Sequence, residues 1–303
     1  MMITRGLPHI TICVCTYKRV SYLAYLLGQL DAEDTGGLFT YSILVVDNDR
    51  FRSAEAVVVA FSHTSAIETQ YLVETRQNIA LARNLAVQNA RGNFIAFIDD
   101  DEFPTKHWLR TLFTECEKRH VDGVLGPVKP RYETEPPKWV VVGGFYDRPS
   151  YPTGLVIDGS KGRTGNVLFR REIIDGEPRP FWPEFRTGED QNFFGRMILK
   201  GYVFIWCQEA VVYEWVPPIR WNRIFMLRRA LLRGTTSALG GSIEPKDILK
   251  SILAVPAYAV ALPFALLISH GKFMLYLVSL CDHLGKLLAL LGINPIAEQY
   301  ITE

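Results

Sequence analysis

The sequence predicts an α/β protein built on a doubly wound, mixed but mostly parallel sheet flanked by helices. Two patterns carry that expectation. Residues 10–16 (ITICVCT), 42–46 (SILVV) and 93–98 (NFIAFI) are short, apolar and rich in β-branched residues, as buried parallel strands are. Helical periodicity lies between them, at Val20–Leu30, Ser53–Ser62 and Ala80–Asn89. Alternating strand and helix is the signature of a doubly wound sheet, whose ligands bind beyond the carboxyl ends of the strands. Those ends are polar here. Thr16-Tyr17-Lys18-Arg19 follows the first strand, Asp47-Asn48-Asp49 the second, and Asp99-Asp100-Asp101-Glu102 the third.

Further along, residues 127–165 are rich in Pro, Gly and aromatics and read as a long, partly ordered loop over the active side. Residues 166–170 (NVLFR) return to a strand. Gly188-Glu189-Asp190 opens a helix over about 190–200; acids suit its first turn and Gly201 its stop. Residues 202–206 and 210–213 are short strands. Beyond about 245 the character changes. Ser251–Ser269 holds nineteen residues without a charge, long enough to cross a bilayer. Phe273–Leu291 is also apolar but contains Asp282, His283 and Lys286, so it reads as an interfacial helix or a poor second span. Either the two helices associate with a membrane, the reading favoured here, or they form a buried helical hairpin. The expected domains are 1–240, with halves at about 1–125 and 126–240, and an apolar helical segment at 241–303.

Net charge is +1 with no long Lys/Arg run, which speaks against nucleic acid as a partner. Five scattered cysteines form no disulfide framework, and the six histidines no zinc-type cluster. An apolar strand pattern begins almost at once, without a signal peptide, so the expectation is a cytosolic start.

The acidic turn carries the chemistry. Carboxylates two residues apart at a strand end bind a hard divalent cation, with open positions left for substrate phosphates; the plain alternative is a solvated acidic turn. Glu189-Asp190 is either a helix cap or a general base able to take a proton from a hydroxyl.

ITICVCTYKR, LVVDND, RQNIALARNLAVQNARGNFIAFIDDDEFP, GNVLFRRE and FRTGEDQNFFGRMILKGY, in this order from about residue 10 to 215, resemble the family two glycosyltransferases of the GT-A, Rossmann-like fold. The resemblance implies an inverting, metal-dependent enzyme that moves a sugar from a nucleotide-diphosphate sugar, by resemblance a UDP-sugar, to a hydroxyl. It implies that Thr16, Tyr17, Arg19, Asp47, Asn78, Arg83, Asp99 and Asp100 bind the nucleotide sugar. Asp101 would ligate Mn²⁺ or Mg²⁺ through the Asp-x-Asp motif, with Asp99 and Glu214 beside it. Asp190 would be the catalytic base and Glu189 would place the acceptor.

The sequence departs from the family pattern in three places. Ile79-Ala80 follows Asn78 where the family usually has a Gly two residues on. Glu214 stands where many members have His. Pro217–Trp221 keeps the Arg-Trp of the processive members and loses their Gln, which favours single addition. VYEWVPP with the arginines of 220–233 and the apolar tail is similar to bacterial exopolysaccharide transferases of the succinoglycan type. That similarity implies a saccharide or polyprenyl-diphosphate-linked acceptor at the cytoplasmic face of the inner membrane. The rival readings are a nucleotidyltransferase, which lacks its Gly-rich basic loop here, and a non-catalytic nucleotide-sugar-binding scaffold at the membrane.

Overall fold

The computed structural model describes residues 6–185, 188–239 and 245–296. Its contacts divide the chain into two compact units. One comprises Met1–Lys129, Arg148–Pro183 and Glu189–Glu214; the other comprises Pro130–Asp147, Glu184–Gly188 and Trp215–Glu303. The expected boundary at residues 240–241 and the Arg186-Thr187 part of FRTGED lie outside the described residues.

In chain order the elements are β1 (His9–Thr16), α1 (Val20–Leu30), β2 (Thr40–Asp47), α2 (Glu55–Thr64), β3 (Thr69–Val73), α3 (Ile79–Asn89) and β4 (Phe94–Ile98). Next come β5 (Glu102–Pro104), α4 (Trp108–Arg119), β6 (Gly123–Leu125), β7 (Val128–Tyr132), α5 (Lys138–Gly143), β8 (Asn166–Arg170) and α6 (Glu189–Leu199). β9 (Phe204–Trp206), β10 (Val212–Val216), α7 (Arg223–Leu239), α8 (Pro245–Ile268) and α9 (His270–Leu290) complete the chain.

The first unit holds a seven-stranded sheet of order β3-β2-β1-β4-β8-β6-β9. All its pairs are parallel except the two made by β8. The mostly parallel α/β sheet is therefore present as expected. Its strands read as continuous apolar runs because both faces are covered, with β4 buried at every position. α1 covers one face through Leu23, Leu26, Leu27 and Leu30, the i, i+3, i+4, i+7 spacing of an amphipathic helix. On the other face Phe169, Phe181 and Phe193 pack against Phe97 and one another. Cys13 is buried, Cys15 partly so, and both are free thiols.

Four readings need correction. Residues 127–165 are not simply a loop, since they carry β7, α5 and a short 3₁₀ turn at Gly159–Lys161. β7 escaped because Pro130 interrupts its pattern, and α5 because six residues are too few for a periodic signal. The strand read at 202–206 begins at Phe204, and that at 210–213 shifts to Val212–Val216. The helix read from 190 starts at Glu189.

Glu33 lies just after α1 with one carboxylate oxygen accepting from the Leu109 backbone N–H at 3.3 Å and the other buried without a hydrogen-bond partner among the described residues. Burial pushes its carboxyl up to about 8, the Leu109 N–H pulling down and Asp34 pushing up. The protonated form is thus favoured in the folded state. The stabilisation is complete below about 4.5, declines as pH rises, and is gone above about 8. Glu33→Gln is expected to raise stability at pH 8 by a few kcal/mol, on the order of the pKa shift, and to leave it unchanged near pH 4. Denaturant unfolding at both pH values checks this; equal effects at the two would contradict it.

Candidate active site

The site is built at the carboxyl edge of β1, β2 and β4. Strand pairing sets Thr16 at the end of β1 beside Asp47 at the end of β2. The chain then turns sharply through Lys18, whose φ of 57° is unusual for a side chain this long, and which places its ammonium 5.1 Å from the Tyr17 ring. The turn brings Arg19 back over the acidic segment. Thr16 Oγ1 donates to Asp100 Oδ2 at 2.8 Å, and Arg19 Nη1 donates to Asp100 Oδ1 at 3.1 Å and Asp101 Oδ2 at 3.0 Å. Asp100 and Asp101 are both buried. Burial raises the Asp100 carboxyl, Arg19 pulls it down and Asp101 pushes it up.

Arg83 is the second anchor. It sits on α3, whose start is fixed by Asn78: the Asn78 side-chain oxygen accepts from the Ala80 and Leu81 N–H groups. The Arg83 guanidinium is buried, ion-paired to Glu189 and 3.8 Å from Asp99 Oδ1. Burial works against its charge, but Glu189, Asp99 and Asp190 outweigh this and hold it more firmly protonated. Burial raises the Glu189 carboxyl while Arg83 pulls it down. Asp99 keeps 43% of its side chain exposed, so water screens part of the upward push that burial gives its carboxyl. Asp190 lies next to Glu189 in the first turn of α6, with Oδ1 accepting from the Gln191 N–H at 2.8 Å.

A third group lies on β5 and β10. β5 and β10 pair antiparallel with Glu102 opposite Glu214. Like charges facing across a ladder repel. Arg148 offsets this by pairing with Glu214 and approaching Glu102 to 4.0 Å. Glu102 is fully buried; Oε2 accepts from the Asp99 N–H at 3.2 Å, while Oε1, 4.0 Å from Arg148, accepts no hydrogen bond among the described residues. Its carboxyl stands well above the usual range through burial, then Asp99, with Arg148 opposing. A Cβ on Gly165 would lie 2.7 Å from Glu102 Oε1, so only glycine leaves the carboxylate its room.

Asp47 and Asn78 serve the turns around this cluster. Asp47 Oδ1 accepts from the Asp49 N–H, and Oδ2 from the Ala54 N–H and the Tyr71 hydroxyl, at 2.8–2.9 Å. Asn48 accepts from the Asn78 N–H and donates to the carbonyls of Glu74 and Arg76.

Residues 11–187, more than half the chain, match the family described as glycosyl transferase family 2. The chain belongs to that family. The succinoglycan biosynthesis protein ExoM of Rhizobium meliloti (strain 1021) is 33% identical over 231 residues, which cover 75% of this chain and 74% of ExoM. Among solved structures, the mannosyltransferase PcManGT from Pyrobaculum calidifontis in complex with GDP-Man and Mn²⁺ superposes with a TM-score of 0.64 at 17% identity, over 93% of this chain and 88% of that one. S. aureus TarS 1–349 in complex with UDP-GlcNAc gives 0.53 at 16%, over 94% and 92%. At such identities the likeness is one of fold, the GT-A fold of the family.

Within this glycosyltransferase, no group of three or more His, Cys, Asp or Glu among the described residues is assembled to hold a metal ion. The donor chemistry nevertheless suits a hard divalent cation: Asp99, Asp101 and Glu214 offer carboxylate oxygens, and Glu102 Oε1, which accepts no hydrogen bond among the described residues, lies beside them. Glu102 and Arg148 were not among the candidates read from the sequence. Glu102 had a signal, being the fourth acid of the run, whereas Arg148 lies in the Pro- and Gly-rich stretch with nothing to mark it.

Arg83→Met leaves Glu189 buried without its cation and is expected to cost about 3–5 kcal/mol. The double variant Arg83→Met/Glu189→Leu removes both charges and should recover most of that loss. Chemical denaturation of the variants checks it; additive losses would show that the two groups do not act as a pair.

Proposed function

We propose that this family-two enzyme is an inverting, metal-dependent transferase that uses a nucleotide-diphosphate sugar, with UDP as the nucleotide. The single observation that carries the reading is Arg83, which ties the acidic turn at Asp99 to the Glu189-Asp190 pair at the start of α6. A leaving-group end and a proton-accepting end are thereby held in one rigid frame.

On this proposal Thr16, Tyr17 and Arg19 line the nucleotide pocket. Asp47 and Asn78 hold the turns that form its wall, and Asp99 and Asp100 border the diphosphate. Asp190 takes the acceptor proton as its oxygen attacks the anomeric carbon on the face opposite the leaving diphosphate, so an α-linked donor gives a β-linked product. Glu189, fixed by Arg83, places the acceptor. A Mn²⁺ or Mg²⁺ ion held by Asp101, Asp99 and Glu214 would supply positive charge to the departing diphosphate. The Mn²⁺ and UDP-GlcNAc in the structural neighbours support metal and nucleotide. The relationship to ExoM supports a saccharide acceptor in exopolysaccharide synthesis, and the apolar helices α8 and α9 support one that is lipid-linked at the cytoplasmic membrane face. Residues 1–240 would form the catalytic domain and 241–303 the membrane-associating segment.

The test is nucleotide release from a panel of UDP-, GDP- and dTDP-sugars by full-length protein in lipid vesicles, with and without Mn²⁺. Metal-dependent release from a UDP-sugar is expected. Asp190→Asn should lower turnover by about 10²-fold or more while nucleotide binding persists. Full turnover in Asp190→Asn would remove Asp190 as the base, and metal-independent release would remove the metal.

A further inference from the structure

The helices of the second unit are locked together by close backbone contact. α7 and α9 run parallel and touch main chain to main chain: a Cβ on Gly234 would lie 1.9 Å from the Asp282 carbonyl oxygen, and one on Gly285 2.3 Å from that of Leu231. Arg223 Nε meets His270 Nε2 at 3.2 Å at their starting ends, and Arg233 pairs with Asp282 at 2.6 Å further on. α8 runs antiparallel along α9, with Ser251 Oγ 3.0 Å from His283 Nδ1 and the Tyr258 ring against Tyr276 and His283. α5 closes on the start of α9, where a Cβ on Gly271 would lie 2.9 Å from the Trp139 carbonyl oxygen.

From Leu249 to Leu267 the outer face of α8 is apolar. Leu249, Leu253, Val260, Phe264 and Leu267 form one stripe and are 58–85% exposed. No charged residue occurs from Ser251 to Ser269. An apolar face this long marks an interaction surface. The surrounding charge says what covers it. Residues 223–290 carry eight Lys and Arg against three Asp and Glu, in a chain whose net charge is only +1. Exposed Lys246 and Lys250 flank one end of the stripe and Lys272 the other. Apolar area bordered by cations is complementary to an anionic lipid surface.

Length alone would let α8 cross a bilayer. Its neighbours do not permit it. α9 offers only Phe273–Cys281, about 13 Å of uncharged helix, before Asp282, His283 and Lys286. α7, fixed to α9 at the Gly234 and Gly285 contacts, carries Arg223, Arg228, Arg229 and Arg233. The Ser251–His283 and Tyr258–Tyr276 contacts set Asp282, His283 and Lys286 level with the start of the uncharged run of α8, but the α7–α9 register sets Arg228 and Arg229 level with its middle, and a perpendicular α8 would draw those two arginines into hydrocarbon. With α8 lying flat, only its outer stripe enters.

We propose that α8 lies in the plane of an anionic membrane, its apolar stripe sunk into the headgroup–acyl boundary, and does not span it. This rests on the membrane association proposed above and is independent of the transfer chemistry.

The test uses full-length protein with Cys15→Ala and Cys281→Ala. Spin labels are placed singly at Leu253→Cys, Val260→Cys and Leu267→Cys, all exposed positions whose exchange leaves the packing intact. Vesicles of phosphatidylcholine with phosphatidylglycerol are added, and oxygen against nickel-chelate accessibility gives depth. The three labels are expected at one common depth, about 5–10 Å below the surface. A depth that changes by about 10 Å between successive labels would show a spanning helix and overturn the in-plane placement while leaving membrane association standing. No binding to these vesicles would overturn both and point to a protein partner.

Discussion

Charge compensation in the acidic crevice is the constraint on which the rest of the first unit depends. The acids of the 99–102 turn, the Glu189-Asp190 pair and Glu214 would repel one another, and most of them are buried. Arg19, Arg83 and Arg148 hold them, each bridging two or more carboxylates from a different part of the chain. Arg19 binds the turn to β1, Arg83 binds it to α6, and Arg148 binds it to β10. The frame proposed for catalysis is therefore also a folding frame, because removing any one cation leaves a buried anion exposed to its like-charged neighbours. The positive φ at Lys18 and the missing Cβ at Gly165 are local consequences of bringing these groups together.

Where periodicity or strand-end chemistry was strong, the sequence was legible. β1, β2, β4, α1 and α3 lie within one or two residues of their expected places, because buried parallel strands and one-sided helices leave continuous patterns. α2 starts two residues later than its apolar pattern, at Glu55. β5 and β6 were missed because three residues carry no period. At the site, the motif residues stood out as polar side chains directly after apolar strands. What sequence did not reveal was how they are held. The Glu102–Glu214 juxtaposition is a matter of antiparallel register between strands more than a hundred residues apart, and Arg148 enters only through the folded path of residues 127–165. Asp47, which the resemblance assigns to nucleotide-sugar binding, is fully buried, its oxygens committed to the Asp49 and Ala54 N–H groups and to Tyr71.

The second unit shows the same division. The uncharged run of α8 is plain in the sequence, and length and composition mark it as apolar enough for a membrane. The in-plane orientation proposed for it rests on Gly234 and Gly285, two residues without side chains, which let α7 and α9 meet and so tie an arginine-bearing helix to an apolar pair. Family membership accounts for the sheet and the ordered motifs of residues 11–187; the helical unit beyond them has to be understood from its own packing and charge.

If the acidic crevice is a cation and diphosphate site, metal and nucleotide should bind together there. The most direct measurement is the loss of the free Mn²⁺ resonance when the full-length protein is titrated in the presence and absence of UDP. The account predicts that UDP tightens Mn²⁺ binding to the natural chain, and that Asp101→Asn weakens it tenfold or more, about 1.4 kcal/mol, without loss of fold. Mn²⁺ binding that is unchanged in Asp101→Asn and indifferent to UDP would contradict it.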